Sequence, residues 1–337
     1  DEPFYPIDTT YYVQRKRDDD FRWIYWCLNY LSLNRLDTST GVPGLNRNDA
    51  YQLSFGIPPT QEQKEIADIL DAVEDAISTS IAHITKLKQA KAGLLHDLLT
   101  RGIDENGELR APIRHPEKFQ DSALGKTPRD WSVRRLEELA AINSGVTLGR
   151  NVSGLGTIEL PYLRVANVQD GYLDLSDIKT IRIFQSELPR YLLQTGDVLM
   201  NEGGDYDKLG RGTVWQGQIS PCLHQNHVFR VRPKQELLIS QFLALVSGSS
   251  YGKAFFIRAS KQSTNLASSN STQLKSFPIP CPIHSEQERI IDVSSIYDER
   301  IQSREVHLNK LKLLKQGLMS DLLTGRVRIK LDSSEDT

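Results

Sequence analysis

The strongest constraint on this chain is that it carries one long segment twice. Displaced by 224 positions, residues 62–100 lie over residues 286–324 without a gap, and 16 of the 39 aligned residues are identical. Glu62-Gln63 falls on Glu286-Gln287, Ile66 on Ile290, Lys86-Leu87-Lys88 on Lys310-Leu311-Lys312, and Asp97-Leu98-Leu99-Thr100 on Asp321-Leu322-Leu323-Thr324. The match continues upstream at an offset of 221, where Phe21 falls on Phe242, Leu45 on Leu266 and Gln52-Leu53 on Gln273-Leu274. FRWIYWCL and QFLALVSG therefore read as the same short helix, and the loops TSTGVPGLN and KQSTNLASS follow at matching places. A period this long means a duplicated structural unit.

Each copy reads as one unbroken helix. Both follow a proline-containing stretch, GIPP and PCP, and neither contains a proline inside. Thr60 with Gln63, and Ser285 with Glu288, fit a capping box, in which the third helical residue reaches back to the first backbone N–H. Apolar residues recur at heptad spacing: Ile66, Leu70, Val73, Ile77, Ile84, Leu87, Leu94 and Leu98, then Ile290, Tyr297, Ile301, Leu308, Leu311, Leu318 and Leu322. That spacing predicts a coiled-coil seam on each helix. Ser80 and Arg304 interrupt one seam position, Lys91 and Lys315 the other, and polar seam residues set register. Two copies pairing with each other favour an antiparallel arrangement. About 40 residues at a rise of about 1.5 Å give a rod of about 60 Å.

Each unit is thus a mixed globular domain followed by a long helix. The second globular domain begins near Trp131, so the matching start of the first would fall at 131 − 221 = −90. We expect most of a first globular domain to lie outside this sequence, which opens on Asp1 and a strand-like DEPFYPIDTTYYV.

Between Trp131 and Phe277 the pattern turns to short strands. PYLRVANV, YLDLSDIKTI, GDVLM, GTVWQG and HVFRVRP alternate in the strand manner between glycine turns, and QFLALVSG is helical. The class is α+β, built around a curved antiparallel sheet. Net charge is only −2, but residues 178–284 hold 12 basic against 6 acidic side chains. That local excess suggests a surface for a polyanion. Cys222, His224 and His227 have a C-x-H-x-x-H look and with Glu202 or Asp205 could be imagined as a zinc site, yet no second Cys pair supports zinc and alternate strand residues face opposite ways. GGDYDKLGRG lacks the Gly-Lys-Ser/Thr ending of a phosphate loop. No nucleophile elbow is present. The reading is a non-catalytic chain with no metal of its own. Its three cysteines, Cys27, Cys222 and Cys281, suggest no disulfide framework and a cytoplasmic setting. No apolar run approaches the roughly 18 residues of a membrane span.

Arg, Lys, Asn and Gln can make paired hydrogen bonds to base edges. The candidate DNA-reading residues are Arg164, Asn167, Asn201, Lys208, Arg211, Gln225, Asn226 and His227, then Arg258 with Lys261, Gln262, Ser263, Thr264 and Asn265. Thr38, Ser39 and Thr40 occupy the matching loop of the first unit.

In combination, these motifs resemble the specificity subunit of type I restriction–modification systems. GIPPTQEQKEIADIL with DLLTRGIDENGELR resembles its central conserved region, and PIHSEQERII with LMSDLLTGRVRI its distal one. PYLRVANVQDGYLDLSDIKTI, GDVLMNEGGDYDKLGRG and HQNHVFRVRP resemble a target-recognition domain. The resemblance implies the following boundaries: 1–56 the end of a first target-recognition domain, 57–103 the central long helix, 104–128 a linker, 129–280 a second target-recognition domain, 281–326 the distal long helix and 327–337 a tail. It also implies a subunit without chemistry of its own. Each target-recognition domain would read half of a split site on double-stranded DNA, and the helices would set the unread spacer. Two modification subunits would methylate adenine with S-adenosylmethionine, and restriction subunits would cut using ATP and Mg²⁺. The alternative from a different class is a coiled-coil assembly scaffold whose domains bind proteins and ignore DNA sequence.

Overall fold

The computed structural model describes residues 11–36, 44–122, 124–204, 212–259, 261–263, 266–268 and 270–330. Two unbroken long helices, Thr60–Thr100 and His284–Leu322, occupy the two copies of the repeat. The chain divides into two compact units. One comprises residues 1–87 and 300–337, the other residues 88–299. Each unit holds part of both long helices.

In the first unit the two helix segments run antiparallel: Glu62 meets Arg328, and Glu74 meets Lys315 at 2.7 Å. Ile66, Ala67 and Leu70 are buried with Leu322, Leu323 and the short helix Phe21–Tyr30, which adds Trp23, Trp26 and Cys27. Lys315 Nζ also lies 4.8 Å from the Trp26 ring. In the second unit the direction is again antiparallel, with Lys91 meeting Asp298 at 2.5 Å and the Ile103 amide meeting Glu286. The 224-residue offset carries Glu74–Lys315 onto Asp298–Lys91, so the duplication reproduces a cross-helix ion pair as well as an apolar stripe. Ser80 is buried in the seam as its spacing predicts, whereas Arg304 is exposed. A long charged side chain at a seam edge can swing to water at little cost, and serine cannot.

The helix starts are held differently from the expected capping boxes. Thr60 Oγ donates to the Asp18 carbonyl, and Gln63 Nε2 reaches back to Pro58 O at 2.9 Å while its Oε1 accepts the Asp20 N–H at 2.8 Å. Gln287 repeats this, donating to Pro282 O and accepting the Ile239 N–H at 2.9 Å. Asp20 and Ile239 are the N-cap residues of Phe21–Tyr30 and Ser240–Gly248. Structurally, therefore, Trp23 corresponds to Phe242, and the sequence pairing of Phe21 with Phe242 is displaced by two residues. Burial agrees, because Trp23 and Phe242 are buried and Phe21 is half exposed. A helix start sets the phase of its buried face, and a single shared phenylalanine does not.

The glutamate beside each glutamine is buried. Glu286 accepts the Ile103 N–H at 2.9 Å, Arg110 Nη2 at 3.1 Å and Trp131 Nε1 at 3.0 Å. Glu62 accepts Arg328 Nε at 2.8 Å and the Ile329 N–H at 3.2 Å.

The second unit carries the mixed domain. Its four-stranded antiparallel sheet runs Ala140–Ser144, Val228–Pro233, Val198–Asn201, Gly212–Val214. Val228, Phe229 and Val231 are fully buried, as a central strand covered on both faces requires. A second sheet sets Thr157–Leu163 between Lys179–Phe184 and a short parallel partner, Leu223–His224. The single curved antiparallel sheet expected from sequence is thus replaced by several small sheets, one with a parallel pair, because the partners of these short strands lie on distant segments of the chain. The helix Ser240–Gly248 packs against the four-stranded sheet. The 104–128 segment, polar enough to read as linker, is folded: Phe119–Ser122 and Gly125–Pro128 form a hairpin, and Phe119 and Thr127 are buried. In the first unit, Tyr11–Val13 has no regular structure despite its strand-like composition.

Breaking a buried ion pair from one side leaves an uncompensated charge. Glu286→Ala is expected to lower unfolding free energy by about 3–5 kcal/mol. Glu62→Ala should cost less, because Arg328 is 62% exposed and can rehydrate, whereas Arg110 is 17% exposed. Urea denaturation of both variants measures the order.

Candidate nucleic-acid interface

Four segments of the second unit converge. Asn226 N–H donates to Val146 O at 2.9 Å, and Val146 N–H donates to His224 O at 2.7 Å. Gln225 N–H donates to Leu163 O at 2.8 Å, and Glu202 N–H donates to His227 O at 2.9 Å. The turn Gln225-Asn226-His227 is therefore tied to three neighbouring segments through its own backbone. Gly145 makes the close approach possible, since a methyl group there would overlap the His224 carbonyl. The strand Lys261–Ser263 joins the same region through Leu266–Ser268, which pairs with Gly203–Gly204.

The candidate residues divide by burial. Asn167 and Asn201 are buried, and their amides are spent inside the domain. Asn167 Nδ2 donates to the carbonyls of Asp174 at 2.8 Å and Asp177 at 3.1 Å, while its Oδ1 accepts the Arg164 N–H. Asn201 Nδ2 donates to Val168 O at 2.9 Å. Both of these expected DNA readers have amide donors bonded inside the domain, where they support loops. Arg164 is half-buried, and its guanidinium is paired with Asp177 at 2.8 Å. Gln225 and Asn226 are half-buried, and His227 and Arg258 are exposed. Lys208, Arg211, Thr264, Asn265, Thr38, Ser39 and Thr40 lie outside the described residues. For Lys261, Gln262 and Ser263 only the backbone is described.

Glu202, which the sequence set beside this cluster only as an imagined zinc ligand, pairs with His227, whose Nδ1 lies 2.6 Å from Glu202 Oε2. The two are 25 residues apart, and no local pattern joins them. The basic excess of residues 178–284 is also partly internal. Arg230 is buried, donating to the carbonyls of Arg190 and Leu192 at 3.0 Å, and Arg232 pairs with buried Asp197.

His224 occupies the core beneath the turn, where it belongs to packing. Its Nδ1–H donates to Val228 O at 2.7 Å. Burial in an apolar surrounding pushes its pKa down from 6.5 to about 4, opposed in part by the Val228 hydrogen bond. Among the described residues no group of three or more His, Cys, Asp and Glu could hold a metal. Burial also pushes the Cys222 thiol up to about 12, which keeps it an unreactive core side chain. No described helix is long and apolar enough to cross a membrane.

With this geometry in place, comparison with known proteins assigns the chain. The family model "Type I restriction modification DNA specificity domain" matches residues 1–89 and 128–313, so the chain belongs to that family. The putative MjaX specificity subunit of Methanocaldococcus jannaschii is 28% identical over 213 residues, 63% of this chain and 49% of the relative. The EcoKI specificity subunit of Escherichia coli K12 is 26% identical over 267 residues, 77% of this chain and 55% of the relative. The chain thus spans about half the length of these relatives. Two solved structures share its fold. One, described as "complex assembly and conformational transition of the type I R-M system", has a TM-score of 0.52 at 16% identity, covering 90% of this chain and 69% of its own. The S subunit of a type I system from M. genitalium has a TM-score of 0.50 at 15% identity, covering 90% and 72%.

A histidine buried neutral must be deprotonated to fold. Between pH 6.5 and about 4 the unfolded chain binds the extra proton, so His224 withdraws stability as pH falls through that window and has no such effect above it. The full shift corresponds to about 3 kcal/mol. Melting temperature measured from pH 7.5 to 4.5 should fall, and His224→Gln should flatten the slope. A second outcome separates the candidate asparagines: Asn201→Ala should cost about 1–3 kcal/mol of folding stability by leaving buried carbonyls unpaired.

Proposed function

We propose that this chain is the DNA sequence-reading subunit of a type I restriction–modification complex and performs no bond-making or bond-breaking itself. The observation that carries this reading is the convergence of the 225–227 turn, the 201–204 strand end and the paired strands Lys261–Ser263 and Leu266–Ser268 in one unit of a family named for DNA specificity. A turn held by backbone bonds to its neighbours presents its side chains in fixed positions. Rigid presentation is what base readout requires, since each bidentate contact depends on angle as well as distance. Gln225, Asn226, His227 and Arg258 are the described side chains we assign to DNA. Gln262 is proposed on sequence and on the placement of its backbone in the hairpin. Arg164, committed to Asp177, is assigned to phosphate contact or loop support.

In this reading the two units correspond to two half-sites on double-stranded DNA. The paired long helices set the spacer between the half-sites and dock two modification subunits. Adenine methylation with S-adenosylmethionine, and cleavage with ATP and Mg²⁺ by restriction subunits, then belong to those partners. The pairing of both long helices within each unit supports the spacer role, because antiparallel packing stiffens what would otherwise be a lone helix.

The test is DNA binding by the chain assembled with its modification subunits. Selection from a random duplex pool should return a bipartite sequence, with affinity falling steeply with salt. Enrichment of no sequence, together with a stable complex to a protein partner in the absence of DNA, would establish the scaffold alternative. Arg258→Ala and Gln225→Ala should each weaken specific binding by about 1–3 kcal/mol if they reach bases. A uniform loss across all sequences would move the residue concerned to the phosphate-contacting class.

A further inference from the structure

The turn Gln225-Asn226-His227 carries a relay of side-chain hydrogen bonds. His227 Nδ1 lies 2.6 Å from Glu202 Oε2, and His227 Nε2 lies 3.4 Å from Asn226 Nδ2. The frame beneath is the four-stranded sheet. Asn201 pairs with Val228 in its antiparallel ladder, and both are buried. Glu202 and His227 form the next rung outward, joined by the Glu202 N–H to His227 O bond at 2.9 Å. Their side chains meet because their backbones are already fixed. Asn226 is half-buried and His227 exposed, so the end of the relay stands at the surface.

The chemistry of the relay runs in one direction. An ionised carboxylate only accepts hydrogen bonds, so Nδ1 carries the imidazole proton. In the neutral ring Nε2 is then a bare acceptor, and the group facing it must donate. Asn226 meets that demand with Nδ2. Its carbonyl oxygen is barred from the same place, since two acceptors in contact repel. The amide is therefore held in one of its two orientations. With one N–H given to His227 it keeps one N–H and Oδ1, and among the described residues no other hydrogen bond engages it. One donor and one acceptor on a planar amide match N7 and the N6 amine of adenine in the major groove, whereas guanine offers two acceptors there.

We propose that Asn226 reads an adenine and that Glu202, acting through His227, fixes the orientation of the reading amide. The assignment rests on the DNA-reading function proposed above and names the base at one position of a half-site. Glu202 and His227 are positioning residues, and His227 takes part in reading through Asn226. Without the carboxylate Nε2 can carry the proton instead. The amide then turns over and exchanges the donor and acceptor it presents to DNA. The loss falls on discrimination at one base pair and leaves the rest of the half-site as it was.

The test uses the chain assembled with its modification subunits at about pH 8, where imidazole is ordinarily neutral, and selects bound duplexes from a random pool. Wild type should return adenine at one position of a half-site, where any other base weakens binding about 5- to 150-fold, the range of a bidentate base contact. In Asn226→Ala and in Glu202→Gln that penalty should fall below about twofold, while every other position keeps its preference. Glutamine fills the space of glutamate and can donate to Nδ1, so it frees the tautomer without emptying the site. Nitrogen NMR of the chain with isotope-labelled histidine reads the tautomer directly. Wild-type His227 should show Nδ1 protonated and Nε2 bare, and Glu202→Gln should move both signals toward the opposite tautomer. A full set of preferences retained in Asn226→Ala would overturn the reader, and so would a lost preference for a pair other than A·T. Loss at every position in Glu202→Gln, or at none, would overturn the positioning role, as would a protonated Nε2 in wild type. A wild-type pool that returns no sequence would overturn the DNA-reading function itself, and this assignment with it.

Discussion

The structure depends on a buried carboxylate at the first turn of each long helix. Glu62 and Glu286 sit at helix N-termini, where the helix dipole favours negative charge, yet burial would penalise them without partners. Each finds an arginine and a backbone N–H, and Glu286 adds an indole. The neighbouring glutamine ties the preceding proline turn to the N-cap of a short helix. Two adjacent side chains thus fix how the globular part of a unit meets its helices. This is why Glu-Gln stands at both helix starts while many surface positions between the copies have diverged.

The same logic separates scaffold from surface in the mixed domain. Asn167, Asn201, His224 and Arg230 are polar residues turned inward, where they hold loops and strand ends. Gln225, Asn226 and His227 ride on top of what those residues hold. A reading surface needs both classes, because a side chain that contacts a base gains specificity only if its backbone is already in place.

The long helices were legible because a heptad is a local pattern, and the duplication doubled its signal. Short strands such as Val228–Pro233 and Val198–Asn201 were legible from alternation and glycine turns. Their grouping into several small sheets was not, since pairing partners are set by distant chain. Asparagine looks alike in sequence whether its amide faces water or a buried carbonyl, so the burial of Asn167 and Asn201 was not legible. Arg110 and Arg328 beside the two glutamates were invisible for a related reason. The arginines occupy different positions relative to the repeat, so the chemistry recurs where the alignment does not.

By itself the sequence determined that two equivalent helices exist and that the chain belongs to a DNA-specificity family. Periodicity and repetition are properties of the chain's order, so they need no coordinates. Only the tertiary structure decided which polar groups remain on the surface and which charges are spent internally. Those outcomes depend on what lies across from a side chain, and the residue across from it is placed by folding, often from more than 100 positions away, as Glu286 is from Ile103 and Trp131.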